Sequence, residues 1–124
     1  MARMSDIRIH RDGDGAVAEV IGDGILLKSA AEGRDLLFAA AAKGAGWVAI
    51  HEANIAPEFF DLRSGLAGEV LQKFVNYRAR LAIVGDISRY TEKSEALAAL
   101  VRESNRGRDV RFVPSIDALL GSEK

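Results

Sequence analysis

Cysteine is absent from this 124-residue chain, which excludes disulfides, thiolate nucleophiles and cysteine-ligated zinc. Charge of one sign is lacking too. The net charge is −1, which argues against a nucleic acid or an anionic membrane held by bulk electrostatics. No run approaches the roughly 20 apolar residues of a membrane span, and Met1–Asp6 has no apolar signal region. A cytoplasmic protein is therefore the default expectation, with neither nucleic acid nor membrane as partner. Histidine is restricted to His10 and His51. Catalytic zinc wants three protein ligands, and His51-Glu52-x-Asn54 is too sparse with His10 on a separate leading segment, so no metal is expected. A Ser-His-Asp arrangement with local support, a phosphate loop and a G-x-G-x-x-G fingerprint are all missing, leaving no catalytic residue and no cofactor to nominate. Internal repeats, linkers and low-complexity segments are also absent, so residues 1–124 read as one domain.

What is present fits a globular α/β protein: 48% hydrophobic and 28% charged residues. Ile7-Arg-Ile9-His alternates as a half-buried strand, and Asp12-Gly-Asp-Gly15 supplies hairpin turn chemistry before Ala16–Ile21. The same tetrapeptide could suggest a calcium loop, but Ala16 and Val17 stand where a ligand and a glycine are required. Ser29-Ala-Ala-Glu32 forms a capping box for a helix that Gly44 ends. Trp47–Ile50 and Leu81–Val84 are short and apolar on both faces, as strands covered on each side are. Between them Leu66, Val70, Phe74 and Tyr77 fall at helical spacing behind Ser64, a sensible N-cap. Thr91 or Ser94 opens the next helix, which stops near Asn105-Arg-Gly107 with Asn105 or Gly107 left-handed. Val110–Val113 makes a last strand and Ser115–Leu120 a final helix. The order ββαβαβαβα gives a small mixed sheet, a leading antiparallel hairpin and otherwise parallel strands, flanked by helices.

Element order, length and the run Phe59-Phe-Asp-Leu-Arg-Ser-Gly-Leu-Ala-Gly68 resemble STAS domains, typified by anti-anti-sigma factors. There a strand leads into an Asp-Ser-Ser/Thr-Gly-Leu motif whose second hydroxyl is phosphorylated to switch partner binding. Ser64-Gly65-Leu66 matches the second half; Leu62 and Arg63 replace the first, with Asp61 one place early. Nearly the whole chain is also similar to an uncharacterised bacterial family, domain-of-unknown-function family four-one-eight-zero. Phe59–Leu62, Gly65, Ala67–Glu69, Gln72–Phe74, Tyr77-Arg78, Gly85-Asp86 and Glu103–Gly107 carry that likeness. It implies the fold and a bacterial origin, and no activity, substrate or partner.

Two readings of function follow from the residues. In the first, the protein is a non-enzymatic regulatory or interaction module using the Phe59–Gly68 junction. Phe59 and Phe60 are adjacent and cannot easily both enter one core; burial, with one ring covering a helix end, and a place at an interface with a protein partner both stand open. Gly65 and Gly68 in the first turns of a helix cost about 1 kcal/mol each against alanine, which suggests close approach of a backbone or a ligand. In the second, Glu52, Asn54, Ser64, Asp86 and Arg89 gather at the strand carboxyl ends around a polar or anionic small molecule, with Asp61 and Arg63 alongside. Helix capping and loop satisfaction account for the same polar residues without any ligand. Self-assembly through the hairpin edge, giving a homo-oligomer, is a third possibility.

Overall fold

The computed structural model describes residues 5–12 and 15–122. Strands β1 (Ser5–Asp12) and β2 (Gly15–Gly22) lead into helix α1 (Ala30–Ala42) and strand β3 (Trp47–His51). Three 3-10 turns follow, Glu52–Asn54, Pro57–Phe60 and Leu62–Ser64, before helix α2 (Leu66–Asn76) and strand β4 (Arg80–Val84). Helices α3 (Ser88–Thr91) and α4 (Glu95–Arg106), strand β5 (Val110–Val113) and helix α5 (Ile116–Ser122) complete the order. The expected ββαβαβαβα pattern is present, with one extra helical turn, α3, ahead of α4. Gly13 and Asp14 of the hairpin turn lie outside the described residues.

The five-stranded sheet runs β1-β2-β3-β4-β5, antiparallel only between β1 and β2. Each crossover advances one strand in the same direction, so right-handed connections put every crossover helix on one face. There Leu37 and Ala40 of α1, Val70 and Phe74 of α2 and Leu97 of α4 pack on Val20, Val48, Ile50, Leu81, Ile83 and Phe112. The opposite face carries Val17, Trp47, Ala49, Ala82 and Val84, covered by Leu119 with Ile116 and Leu120 of α5. Two-sided burial is why β3 and β4 show no polar alternation. Arg80 belongs to β4 rather than to the helix before it, its guanidinium 5.6 Å from the Trp47 ring centre. Gly33 sets the closeness of α1 to α2, since a β-carbon there would touch Val70 at 3.4 Å.

Local signals account for most boundaries. Ser29 Oγ accepts the Glu32 N–H at 3.2 Å while the Glu32 carboxylate accepts from Lys28 N, closing the capping box. Ser94, not Thr91, caps α4 by accepting the Leu97 N–H. At the end of that helix the left-handed residue expected at Asn105 or Gly107 does not occur; Gly107 has φ −90°. Asn105 serves a different purpose. Its side chain accepts the Phe112 N–H at 2.8 Å and donates to the Phe112 carbonyl at 3.2 Å, on the outer side of β5. At Phe112 this amide stands in for a neighbouring strand. Asn105→Ala leaves both Phe112 groups without their partner and is expected to cost about 1–3 kcal/mol, measured by urea denaturation. Asn105→Gln, with the amide one methylene too far out, should not restore it.

Candidate functional site

Ser64 does not act alone as the cap of α2. Gly65 holds the cap position with φ 81°, a left-handed conformation that its lack of a side chain permits. The Ser64 hydroxyl donates to the Glu58 carbonyl at 2.6 Å and accepts the Leu66 N–H at 3.2 Å. Asp61 accepts both the Arg63 N–H and the Arg63 side chain, so this acid and base close on each other.

Phe59 and Phe60 correct the expectation that two adjacent rings cannot share one core. Both are buried, at 0% and 3% exposure. The 3-10 turn Pro57–Phe60 makes this possible, because it turns consecutive side chains about 120° apart instead of to opposite sides. The rings meet edge to face at 5.2 Å, and Phe60 stacks on Tyr90 at 4.4 Å and 11°. Arg89 lies over the other side of Tyr90, 4.5 Å from its centre, and donates to Glu52 at 2.9 Å. A continuous column thus runs from the core, through three rings and a guanidinium, to an ion pair at the end of β3.

The strand-end groups do not converge. Glu52 and Arg89 are joined, but Asn54 turns inward and donates to the carbonyls of Gly22 and Gly24, pinning the end of β2. Asp86 accepts the Ser88 N–H at 2.9 Å, a hydrogen bond that holds its carboxyl below the ordinary aspartate range. The Tyr90 hydroxyl and then Glu52 raise Arg89 above its ordinary value. Gly85 is what admits Glu52: φ is +129°, and a β-carbon would stand 2.7 Å from Glu52 Cγ.

A second cluster was illegible as such in the chain. Glu19, 7% exposed, lies between the two histidines on the α5 face of the sheet. His10 Nε2 and His51 Nε2 each lie 2.7 Å from a different oxygen of its carboxylate. Burial alone opposes ionisation of Glu19, but the hydrogen bonds and charges of His10 and His51 outweigh it and lower its pKa. Register places the cluster: Glu19 pairs with Arg8 on β1 and Ala49 on β3, which sets His10 and His51 one pleat away on either side. Among the described residues no group of His, Asp and Glu is arranged to hold a metal ion. Nor is any helix there long and apolar enough to cross a membrane.

A separate concavity lies along the seam of α1 and α2. It is a groove of about 770 Å³ lined by Ala30, Ala31, Arg34, Gly65, Gly68, Glu69, Gln72, Lys73 and Asn76. Gly68 is not explained by packing, for a β-carbon there would meet nothing within 4 Å. Beyond Arg34 and Asn76 the exposed rings of Phe38 and Tyr77 meet edge to face at 4.9 Å.

Fold and site together define an open α/β domain wound in one direction, with one concavity along the α1–α2 seam and another, of about 570 Å³, between the segments that follow β3 and β4. The chain belongs to the domain-of-unknown-function family DUF4180, whose family model matches residues 12–122. Comparison with curated proteins and with solved structures returns no match, so the STAS likeness rests on element order and Ser64-Gly65-Leu66 alone.

Two measurements probe this geometry. Gly85→Ala forces a side chain into a left-handed backbone and against Glu52, with an expected loss of about 1–3 kcal/mol in denaturant melts. Glu19→Gln should cost about 1–3 kcal/mol at neutral pH, because one imidazole loses its carboxylate acceptor. Since folding lowers the Glu19 pKa, its contribution is complete above the ordinary glutamate range and disappears as pH falls through the lowered value. The gap between wild type and Glu19→Gln should therefore narrow in acid, as pH falls through the lowered Glu19 value.

Proposed function

We propose that this protein is a non-enzymatic interaction module that binds a polypeptide partner along the α1–α2 groove. The observation that carries this reading is the exposed Phe38–Tyr77 pair at the end of that groove. Among the described residues the exposed large hydrophobics are Phe38, Val75 and Tyr77, all on α1 or at the end of α2. Aromatic anchors of this kind recur at the centre of protein interfaces.

The groove's chemistry supports a peptide backbone as its occupant. Gln72 Nε2 donates to Asn76 Oδ1 at 2.8 Å, which leaves the Gln72 carbonyl oxygen and the Asn76 amino group for a ligand. One acceptor and one donor side by side match what a peptide unit presents. Small residues at Ala30, Ala31, Gly65 and Gly68 leave room for close approach. Gly65 and Gly68 belong to the Phe59–Gly68 junction, whereas the rings of Phe59 and Phe60 face the core. A small molecule at the strand ends has less support, because Glu52 and Arg89 already neutralise each other and Asn54 faces inward.

Panning a displayed peptide library against the purified protein tests this. Enriched peptides should lose at least tenfold in affinity, about 1.4 kcal/mol, on both Gly68→Trp and Phe38→Ala. Gly68→Trp points into open space and should melt no lower than wild type. Peptides that bind both variants undiminished, or no enrichment at all, would sink the proposal.

A further inference from the structure

The two edges of the sheet differ, and the difference points to a second interaction surface. The outer side of β5 is occupied by the Asn105 side chain. Among the described residues nothing lies on the outer side of β1. Its eight pairs with β2 run from Ser5↔Gly22 to Asp12↔Gly15 without a bulge, and among the described residues no hydrogen bond reaches the far edge. Natural sheets usually blunt such an edge with a short strand, a bulge, proline or a covering segment. β1 uses none of these over Ser5–Asp12; its guard is charge alone, at Asp6, Arg8 and Arg11.

We infer that β1 pairs antiparallel with β1 of a second copy, in a twofold register centred on Arg8. A twofold axis perpendicular to the sheet keeps each residue on its own face, so it passes through a residue position. Centred on Arg8, it sets Ile7 opposite the partner subunit's Ile9, and Asp6 opposite the partner subunit's His10. Each pair occurs twice. On the helix-bearing face the four half-buried isoleucines extend the row that already packs on the core. On the other face the partner's Asp6 comes beside His10, whose Nε2 is bound to Glu19. The two Arg8 residues meet at the axis. Each has its own chain's Glu19 as cross-strand neighbour, and the partner's Asp6 lies within diagonal reach. Centring on Ile9 instead would oppose Asp6 with the partner's Asp12 and Ile7 with the partner's Arg11, which matches neither charge nor polarity.

The inference goes beyond the α1–α2 reading and uses a different surface, so each can fail alone. Sedimentation velocity up to about 0.2 mM, well above a micromolar Kd, should show a concentration-dependent dimer. Asp6→Arg, which sets a cation against His10, should shift it toward monomer; Phe38→Ala should leave it unchanged. The absence of cysteine permits a direct test of register. Arg8→Cys places its thiol opposite itself, with Cα atoms about 4.5–5.5 Å apart, and should form a disulfide-linked dimer on mild oxidation. Ile9→Cys faces its own copy only diagonally, at about 7–8 Å, and should not. A strict monomer, cross-linking through position 9 in preference to 8, or a dimer lost in Phe38→Ala but kept in Asp6→Arg would overturn the inference.

Discussion

The strand order never reverses, and the rest of the molecule is arranged around that constraint. Because β2 through β5 are added in one direction, α1, α2 and α4 crowd onto a single face. Only the short α5 remains to cover the other, and it does so over Trp47, Ala82 and Val84. A sheet that reverses opens a crevice at the switch point, where α/β proteins usually bind their ligands. Without a reversal, the polar groups at the strand ends are taken up by local hydrogen bonds, and the cavity there is walled by Phe60, Asp61, Arg63 and Tyr90. The groove along α1 and α2 is a by-product of helix spacing, set where Gly33 lets α1 come close to α2.

Two features show how polar groups are fitted into so apolar a frame. The column Phe59–Phe60–Tyr90–Arg89–Glu52 passes gradually from buried ring to exposed charge, so the guanidinium rests on an aromatic face and its partner is held at the sheet end. Gly85 is the one residue that could flank Glu52 there. The Glu19 cluster is the opposite case, an acid buried within the sheet whose ionisation depends on two imidazoles supplied by the strands on either side. Each device ties together segments distant in sequence: Glu52 and Arg89 lie 37 positions apart, Glu19 and His51 lie 32 apart.

Those separations explain what could be read in the chain and what could not. Strands β3 and β4 were legible because two-sided burial leaves a continuous apolar run. The capping box at Ser29 and the cap at Ser94 were legible because their partners are three residues away. The hairpin followed from Asp-Gly chemistry. Asn54, Asp61, Asp86 and Arg89 were visible as polar residues beyond the strand ends, but their partners were not: Asn54 bonds to Gly22 and Gly24, and Arg89 to Glu52. The Glu19 cluster requires the β1–β2–β3 register, which no local pattern states, so the two histidines looked too remote to meet. Adjacency alone left burial and an interface both open for Phe59 and Phe60, and the 3-10 turn that sends both rings inward is not written in any local pattern. Asn105 looked like a helix end because its partner, Phe112, belongs to the next strand.

The Asn105 amide also gives the sheet a polarity. Hydrogen-bonded ladders elongate without limit when both borders can accept a new rung, which is the geometry of fibrils. Here one border is already occupied by a side chain of the same molecule, so any strand added at the other border has no successor. Assembly through the sheet is then finite. Two such molecules joined through their open borders expose only the stoppered ones, as two half-zips joined at the middle have a closed end on each side.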